Sequence, residues 1–350
     1  MNKILRLASM ALFAAISTLS VQAQTLLWDV TNIDARGVVQ SADKFCEMKP
    51  IAVTDKANTR SGNKHNFEAL SIYLWPDPEN PDGPYITRDG QPNPEYKEYD
   101  LPRLEELVKR TGAISKAYYV TGDAKYYEAF CKQIDAWFLN RSTKMVPNFE
   151  YNQFIPGRNN GRGCSAGIID AYHFVNILEA VRLVESKKSL GRRRTRNLKR
   201  WFRDFSTWMI ESDLGQQEAK ATNNHGSTYD ITLFVLCQYT GQDDVCDEIV
   251  DNFAERRINP QILPDGKQPE ELKRTKAYNY SVYNLQHMVD FCIILRNLGN
   301  DYINGEGQRI KTAIDYLDQF VGHREDFPYQ EIGDWEQQER NVRALKAKVQ

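Results

Sequence analysis

No long apolar run follows Leu19, so the body of the chain is not expected to cross a bilayer. Cysteine is scarce: six in 350 residues, Cys46, Cys131, Cys164, Cys237, Cys246 and Cys292. That is too few for a disulfide scaffold, and no CxxC pair or Cys/His cluster has zinc-ligand spacing. Cys237 and Cys246 flank a tight Tyr-Thr-Gly-Gln turn. An oxidising compartment would permit a bridge there, although buried free cysteine is common. A surplus of either charge is missing as well, with 45 basic side chains against 47 acidic. Nucleic-acid-binding domains usually carry a basic surplus, so that partner is not expected. An anionic ligand would have to meet basic groups gathered locally. Strand-like alternation is nearly absent, which favours a helical fold.

The N-terminus supplies what the rest lacks. Lys3 and Arg6 precede a short apolar and small-residue run, Leu7 to Leu19, and Val21-Gln22-Ala23 forms a small-x-small cleavage pattern. This reads as a signal peptide over 1–23 and a mature chain over 24–350, periplasmic or secreted. The run is too short to anchor the chain, and no cysteine stands at the cleavage site to make a lipoprotein. Removal takes two cations and no acid, leaving a net charge of −4. The mature chain fits a single catalytic domain.

Residues 24–60 give no clear pattern. Residues 75–102 do: Trp75-Pro76-Asp77-Pro78 and Asn80-Pro81-Asp82-Gly83-Pro84, followed by Pro92 and Pro94, rule out regular helix. Tyr73, Trp75, Tyr85, Tyr96 and Tyr99 stud this loop, and aromatics argue for order. Helices are expected at 103–120, 124–139, 166–187, 194–212, 225–240, 244–258, 280–298 and 306–322, with a short one near 336–350. Turns at Tyr119-Val120-Thr121-Gly122-Asp123 and Tyr239-Thr240-Gly241-Gln242-Asp243 recur in one role, joining helices. Stacked helical hairpins with long loops predict an all-α toroid whose loops wall a central cleft. A helical repeat scaffold that only binds partners would carry shorter loops.

Two stretches carry candidate chemistry. Asn223-Asn224-His225 stands directly before an apolar helix, where free N–H groups and the dipole suit a carboxylate. A helix cap needs one Asn, not Asn-Asn-His. Arg274, with Tyr278, Tyr280 and Tyr283, precedes a second apolar helix. Amide, imidazole, guanidinium and phenol together suit elimination across a uronic acid. The proton at C5 is barely acidic until the neighbouring carboxylate is neutralised. A base must then remove it and an acid must protonate the departing O4. One tyrosine, Tyr280, serves both roles when both groups lie on one face of the sugar.

These segments resemble the alginate lyase superfamily of α/α-toroid polysaccharide lyases, closest to polysaccharide lyase family 38, with family 5 more distant. Four segments carry the resemblance: Tyr73 to Pro78, continuing through Asp82-Gly83-Pro84-Tyr85 and Arg88-Asp89-Gly90; Gly161-Arg162-Gly163 with Gly167 to Asp170; Asn223-Asn224-His225; and Arg274-Thr275 with Tyr280-Ser281 and Asn284-Leu285. The resemblance implies an (α/α) barrel of six to seven hairpins, seven favoured. It also implies that Asn224, His225 and Arg274 neutralise the carboxylate while Tyr280 acts as base and acid. For guluronate-type substrates it makes His225 the base. Gly226-Ser227 and Asn279 depart from the family 5 pattern, which leaves mannuronate specificity open.

Further substrate-binding candidates are Asn223, Lys64, His65, Trp75, Tyr85, Gln153, Arg158, Arg162 and Tyr278. No metal or cofactor is called for by this chemistry. A hydrolase on the same scaffold needs two carboxylates flanking the bond. Asp77, Asp82, Asp170 and Asp230 are available, but nothing in the sequence singles one out. A non-catalytic polyuronate-binding protein would not need the tyrosine.

Overall fold

The structure, a computed structural model, describes residues 25–350; the expected signal segment 1–23 lies outside them. Helix α1 (Ala35–Glu47) falls in the stretch the sequence left unread. Helix α2 (Leu101–Thr121) starts with Pro in its first turn, where a missing N–H costs nothing. It stops at Gly122, whose φ of 69° is the left-handed ending that glycine adopts freely. Asp123 caps α3 (Ala124–Ile134), which runs on as a π-helical turn over Asp135–Leu139. A 3₁₀ stretch, Ser165–Ala171, leads into α4 (Tyr172–Glu185). Then come α5 (Arg192–Glu211), the short α6 (Asp213–Glu218), α7 (Asn224–Thr240) and α8 (Asp243–Phe253). The chain closes with α9 (Ala277–Asn297), α10 (Gln308–Asp318) and α11 (Trp335–Val349).

Burial separates these helices into two layers. Helix α7 buries every residue except His225 and Gln238, whereas α8 buries only Cys246, Ile249 and Phe253. An all-round buried helix belongs inside and a one-sided one outside. Inner helices α2, α4, α7 and α9 pack one against the next, and α3, α5, α8 and α10 return outside them. This is an α/α toroid. Four hairpins are complete among the described residues, where six to seven were expected, and α1 and α11 extend the ring as single helices. Both Thr-Gly turns do join hairpins, with Gly241 at φ 73° repeating Gly122.

Two small sheets shape the long loops. Strand β1 (Glu68–Leu70) pairs in parallel with β4 (Tyr151–Phe154), and β2 (Leu74–Trp75) pairs antiparallel with β3 (Ile86–Thr87). All six cysteines are free thiols, so Cys237 and Cys246 are not bridged. Among the described residues no helix is long and apolar enough to cross a membrane.

An aromatic cluster at the α4–α5 hairpin anchors one side of the ring. Phe174 is fully buried, with the rings of Phe138, Phe149, Trp201, Phe202 and Phe205 within 6.1 Å of it. Truncating it leaves a cavity among rings that cannot all close in. Phe174→Ala is expected to lower unfolding stability by about 3–5 kcal/mol, read from the urea midpoint. A loss under about 1 kcal/mol would mean the cluster repacks freely.

Candidate active site

The Asn-Asn-His corner is built by its local chain. Asn223 is the α7 cap, accepting a hydrogen bond from the His225 backbone at 3.2 Å. Asn224 therefore starts the helix with its side chain free for another task. A Cβ on Gly226 would stand 2.1 Å from the Ala221 carbonyl oxygen and 2.4 Å from Arg257, so no larger residue fits after His225. Buried Arg257 fixes the approach: it grips both oxygens of buried Asp230 and donates to the carbonyls of Ala219 and Ala221. Asp230 is thereby a structural counter-ion rather than a free acid.

Two buried glutamates orient the corner. Glu271 accepts from the Asn224 backbone N–H at 2.7 Å and from its side-chain amide at 2.8 Å. One hydrogen of that amide is thereby used and one is left. Glu218, at the end of α6, lies 2.6 Å from His225 Nδ1. Burial disfavours the charged imidazole, but the Glu218 hydrogen bond and the charges of Glu218 and Glu271 outweigh it and raise His225 above the usual histidine range. The nearby Arg274 charge opposes this rise.

Arg274 and Tyr280 form the other half. The guanidinium lies 3.7 Å from the centroid of the Tyr280 ring. Arg274 Nε and Nη2 also donate to Asp89, whose carboxylate accepts further bonds from the Thr275 N–H and hydroxyl. Burial pushes the Asp89 carboxyl up, but the hydrogen bonds of Arg274 and Thr275 and the Arg274 charge hold it down at about 2. Gly90 makes this docking possible, since a Cβ there would lie 2.6 Å from Thr275 Oγ1. Tyr280 donates its hydroxyl to that of Tyr73 at 2.8 Å. Burial, then that hydrogen bond, pushes its phenol well above the ordinary value, with Arg274 pulling the other way. The Arg274 backbone N–H bonds the carbonyl of Glu271 at 3.1 Å, and its charge bears on both Glu271 and His225, so the two halves are adjacent.

Asp170 lies near this group. It accepts from Asn152 Nδ2 at 2.9 Å and Gln153 Nε2 at 3.2 Å, and burial pushes it up to about 6 against those bonds and the His225 charge. Burial also pushes His173 and His287 down to about 4, leaving both neutral at pH 7.

The remaining candidates divide. Gln153 sits beside the site in a left-handed conformation, φ 47°, bonded to Asp170. Trp75 donates to the Gln91 carbonyl and lies under Arg88, while Tyr85 donates to Glu95. Both therefore help hold the aromatic loop. Arg158 is exposed and has no ion-pair partner among the described residues. Two expectations need correction. Tyr278 is fully buried, stacked on Trp335 and bonded to the Leu317 carbonyl, so it is core and does not meet substrate. Arg162 is ion-paired with Glu150 and bonded by two prongs to Asp213, which makes it a latch between its loop and the start of α6. His65 is bonded through Nδ1 to the Lys144 carbonyl, and Lys64 is exposed.

The family model for alginate lyase matches residues 52–327. The chain belongs to the alginate lyase family. This family member is similar to the crystal structure of an alginate lyase from Bacteroides ovatus, with 35% identity over 97% of this chain and 92% of that one, and a TM-score of 0.85. Alginate lyase A1-III from Sphingomonas species A1 shares the fold, with 13% identity, 87% and 81% of the two chains covered, and a TM-score of 0.50. No curated protein matches the sequence. As an alginate lyase family member the chain is a polysaccharide lyase, and its substrate class is an acidic polysaccharide.

Sequence reasoning missed Tyr73, Asp89, Glu218 and Glu271 as site residues of this family member. Glu271 stands three residues before Arg274, and Glu218 seven before His225, spacings that give no warning of a shared corner. Glu218→Gln removes the carboxylate that raises the His225 pKa. A raised folded pKa stabilises below the unfolded value, about 6.5, and that contribution is lost as pH rises through the folded pKa. The variant is therefore expected to be less stable than the parent at about pH 5.5 and to converge with it in mildly alkaline buffer. Urea midpoints across pH check this; an equal deficit at every pH would make Glu218 a packing residue.

Proposed function

We propose that this chain cleaves 1,4-linked polyuronate, alginate first and glucuronan second, by β-elimination after export from the cytoplasm. His225, Arg274 and the remaining amide hydrogen of Asn224 neutralise the uronate carboxylate. Tyr280 takes the C5 proton as base. The C5–H electron pair forms the C4=C5 double bond, the C4–O bond breaks, and O4 leaves with a proton from the same phenol. A guanidinium on the ring face lowers the cost of the phenolate that the first step requires. The observation that supports this reading best is the 3.7 Å stacking of Arg274 on Tyr280, with Arg274 also acting on the His225 corner.

The high pKa of Tyr280 favours a second assignment of roles within the same reaction, in which neutral His225 is the base and Tyr280 the acid. The pH profile of kcat/KM separates the two. A Tyr280 base gives a rate that keeps climbing well above neutrality, through the ordinary phenol range near about 10 and beyond it. A His225 base gives a plateau once the imidazole has lost its proton.

A panel of polyuronates tests the function. Products with the ultraviolet absorbance of a C4=C5 uronate, formed in step with chain cleavage, are expected from alginate. Reducing ends without that absorbance would make the chain a hydrolase, with Asp170 the first carboxylate to examine. Binding with no chain shortening would make it a non-catalytic binder.

A further inference from the structure

Helix α5 opens with Arg192-Arg193-Arg194-Thr195-Arg196 and continues through Lys199, Arg200 and Arg203. Its first turn holds no acid. Cations there oppose the helix dipole, and like charges four apart repel. The fold relieves only part of this: Arg194 pairs with Asp135, and Arg203 donates to the Thr240 carbonyl at 2.6 Å. Arg192, Arg196, Lys199 and Arg200 are exposed and have no ion pair among the described residues. A local sequence choice that weakens its own helix, only partly compensated inside the fold, points to something outside it.

The five cations Arg192, Arg196, Lys199, Arg200 and Arg203 line one groove of about 830 Å³, closed on one side by Thr240. Lys199 is steadied 5.3 Å from the Tyr239 ring centroid. The chain's whole net charge is −2, so these five cations are a local excess and not part of an overall basic surplus. The groove is also far from the proposed site. Asn224 and Thr240 are the two ends of α7, and sixteen residues at the helical rise separate them by about 24 Å. One end of the inner helix reaches the chemistry and the other reaches the basic groove.

We infer that this groove is a second, non-catalytic binding site for the acidic polysaccharide, holding a stretch of chain remote from the bond being cut. The inference rests on the polyuronate reading above. A row of arginines suits repeated carboxylates, each guanidinium offering a planar fork. The shape is concave and its lining has no large apolar side chain, unlike surfaces that insert into lipid. Holding one part of a long polymer raises the local concentration of the rest at the site.

Arg196→Glu/Arg200→Glu tests it in the full-length chain. Both residues are solvent-facing, so folding is expected to be untouched. In a Tyr280→Phe background, which does not cut, retention on immobilised high-molecular-mass alginate is measured with saturating alginate trisaccharide present. The parent background is expected to stay bound, and the double substitution to weaken retention on the order of tenfold at low salt, converging at high salt. With Tyr280 intact, turnover of the trisaccharide is expected to be unchanged and KM for the polymer raised. Unaltered retention with normal trisaccharide turnover overturns the groove and leaves the lyase reading standing. Retention lost in the variant, in a chain that turns over no polyuronate, keeps the groove and sinks the lyase reading. Retention by anionic phospholipid vesicles or duplex DNA, with none by alginate, also overturns the groove.

Discussion

Tyr280→Phe is expected to cut turnover of alginate by on the order of 10³-fold or more, because in the proposed mechanism one hydroxyl carries both proton transfers. The substitution is narrow. The ring stays, and so does its face-on contact with Arg274 at 3.7 Å. Only the hydrogen bond to the Tyr73 hydroxyl is lost, and a neutral bond of that kind contributes about 1 kcal/mol. Melting temperature and oligosaccharide affinity should therefore barely change while the rate collapses. A near-normal rate would move the base away from Tyr280. Loss of rate with the pH plateau retained would assign the base to His225 and leave Tyr280 as acid.

Arg274→Ala is expected to cost on the order of 10²–10³-fold in kcat/KM, the range for losing one preorganised charge-stabilising group. Its effect on stability has a separate signature. Asp89 is held at about 2 by Arg274 and Thr275, against burial. A depressed folded pKa stabilises above the unfolded value, about 3.9, and that contribution disappears as pH falls through the folded pKa. The variant should thus lose modest stability at neutral pH and approach the parent in strong acid, while the rate deficit persists wherever the enzyme works. Arg274→Lys restores charge without the fork and is expected to recover only part of the rate. A collapsed melting transition in Arg274→Ala would instead make the residue a structural pin for the Asp89 turn.

Much of this arrangement was legible in the sequence. Helix periodicity placed α2 to α5 and α7 to α10 within a few residues, because each hides a continuous apolar face. Helix α1 escaped, although Asp34 caps its start, because it buries one residue, Ala42. The Asn224–His225 and Arg274–Tyr280 pairs were legible because unusual residue types sit together at the starts of apolar helices. Their supports were not. Tyr73 and Tyr280 are 207 residues apart, and Asp89 and Arg274 are 185 apart, so only the closed ring brings them together. Tyr278 misled for the opposite reason. Two residues before Tyr280 on a helix is slightly more than half a turn, which sends its ring to Trp335 in the core. Arg162 misled because its carboxylate partners, Glu150 and Asp213, come from the chain itself rather than from a substrate.

The most direct measurement is a crystal structure of the Tyr280→Phe chain holding an alginate trisaccharide. One uronate carboxylate should lie within hydrogen-bond distance of His225 and Arg274, with the hydrogen on C5 of that sugar turned toward the ring at position 280. A sugar acid bound away from His225 and Arg274, with its scissile bond set between carboxylates such as Asp170, would contradict the account.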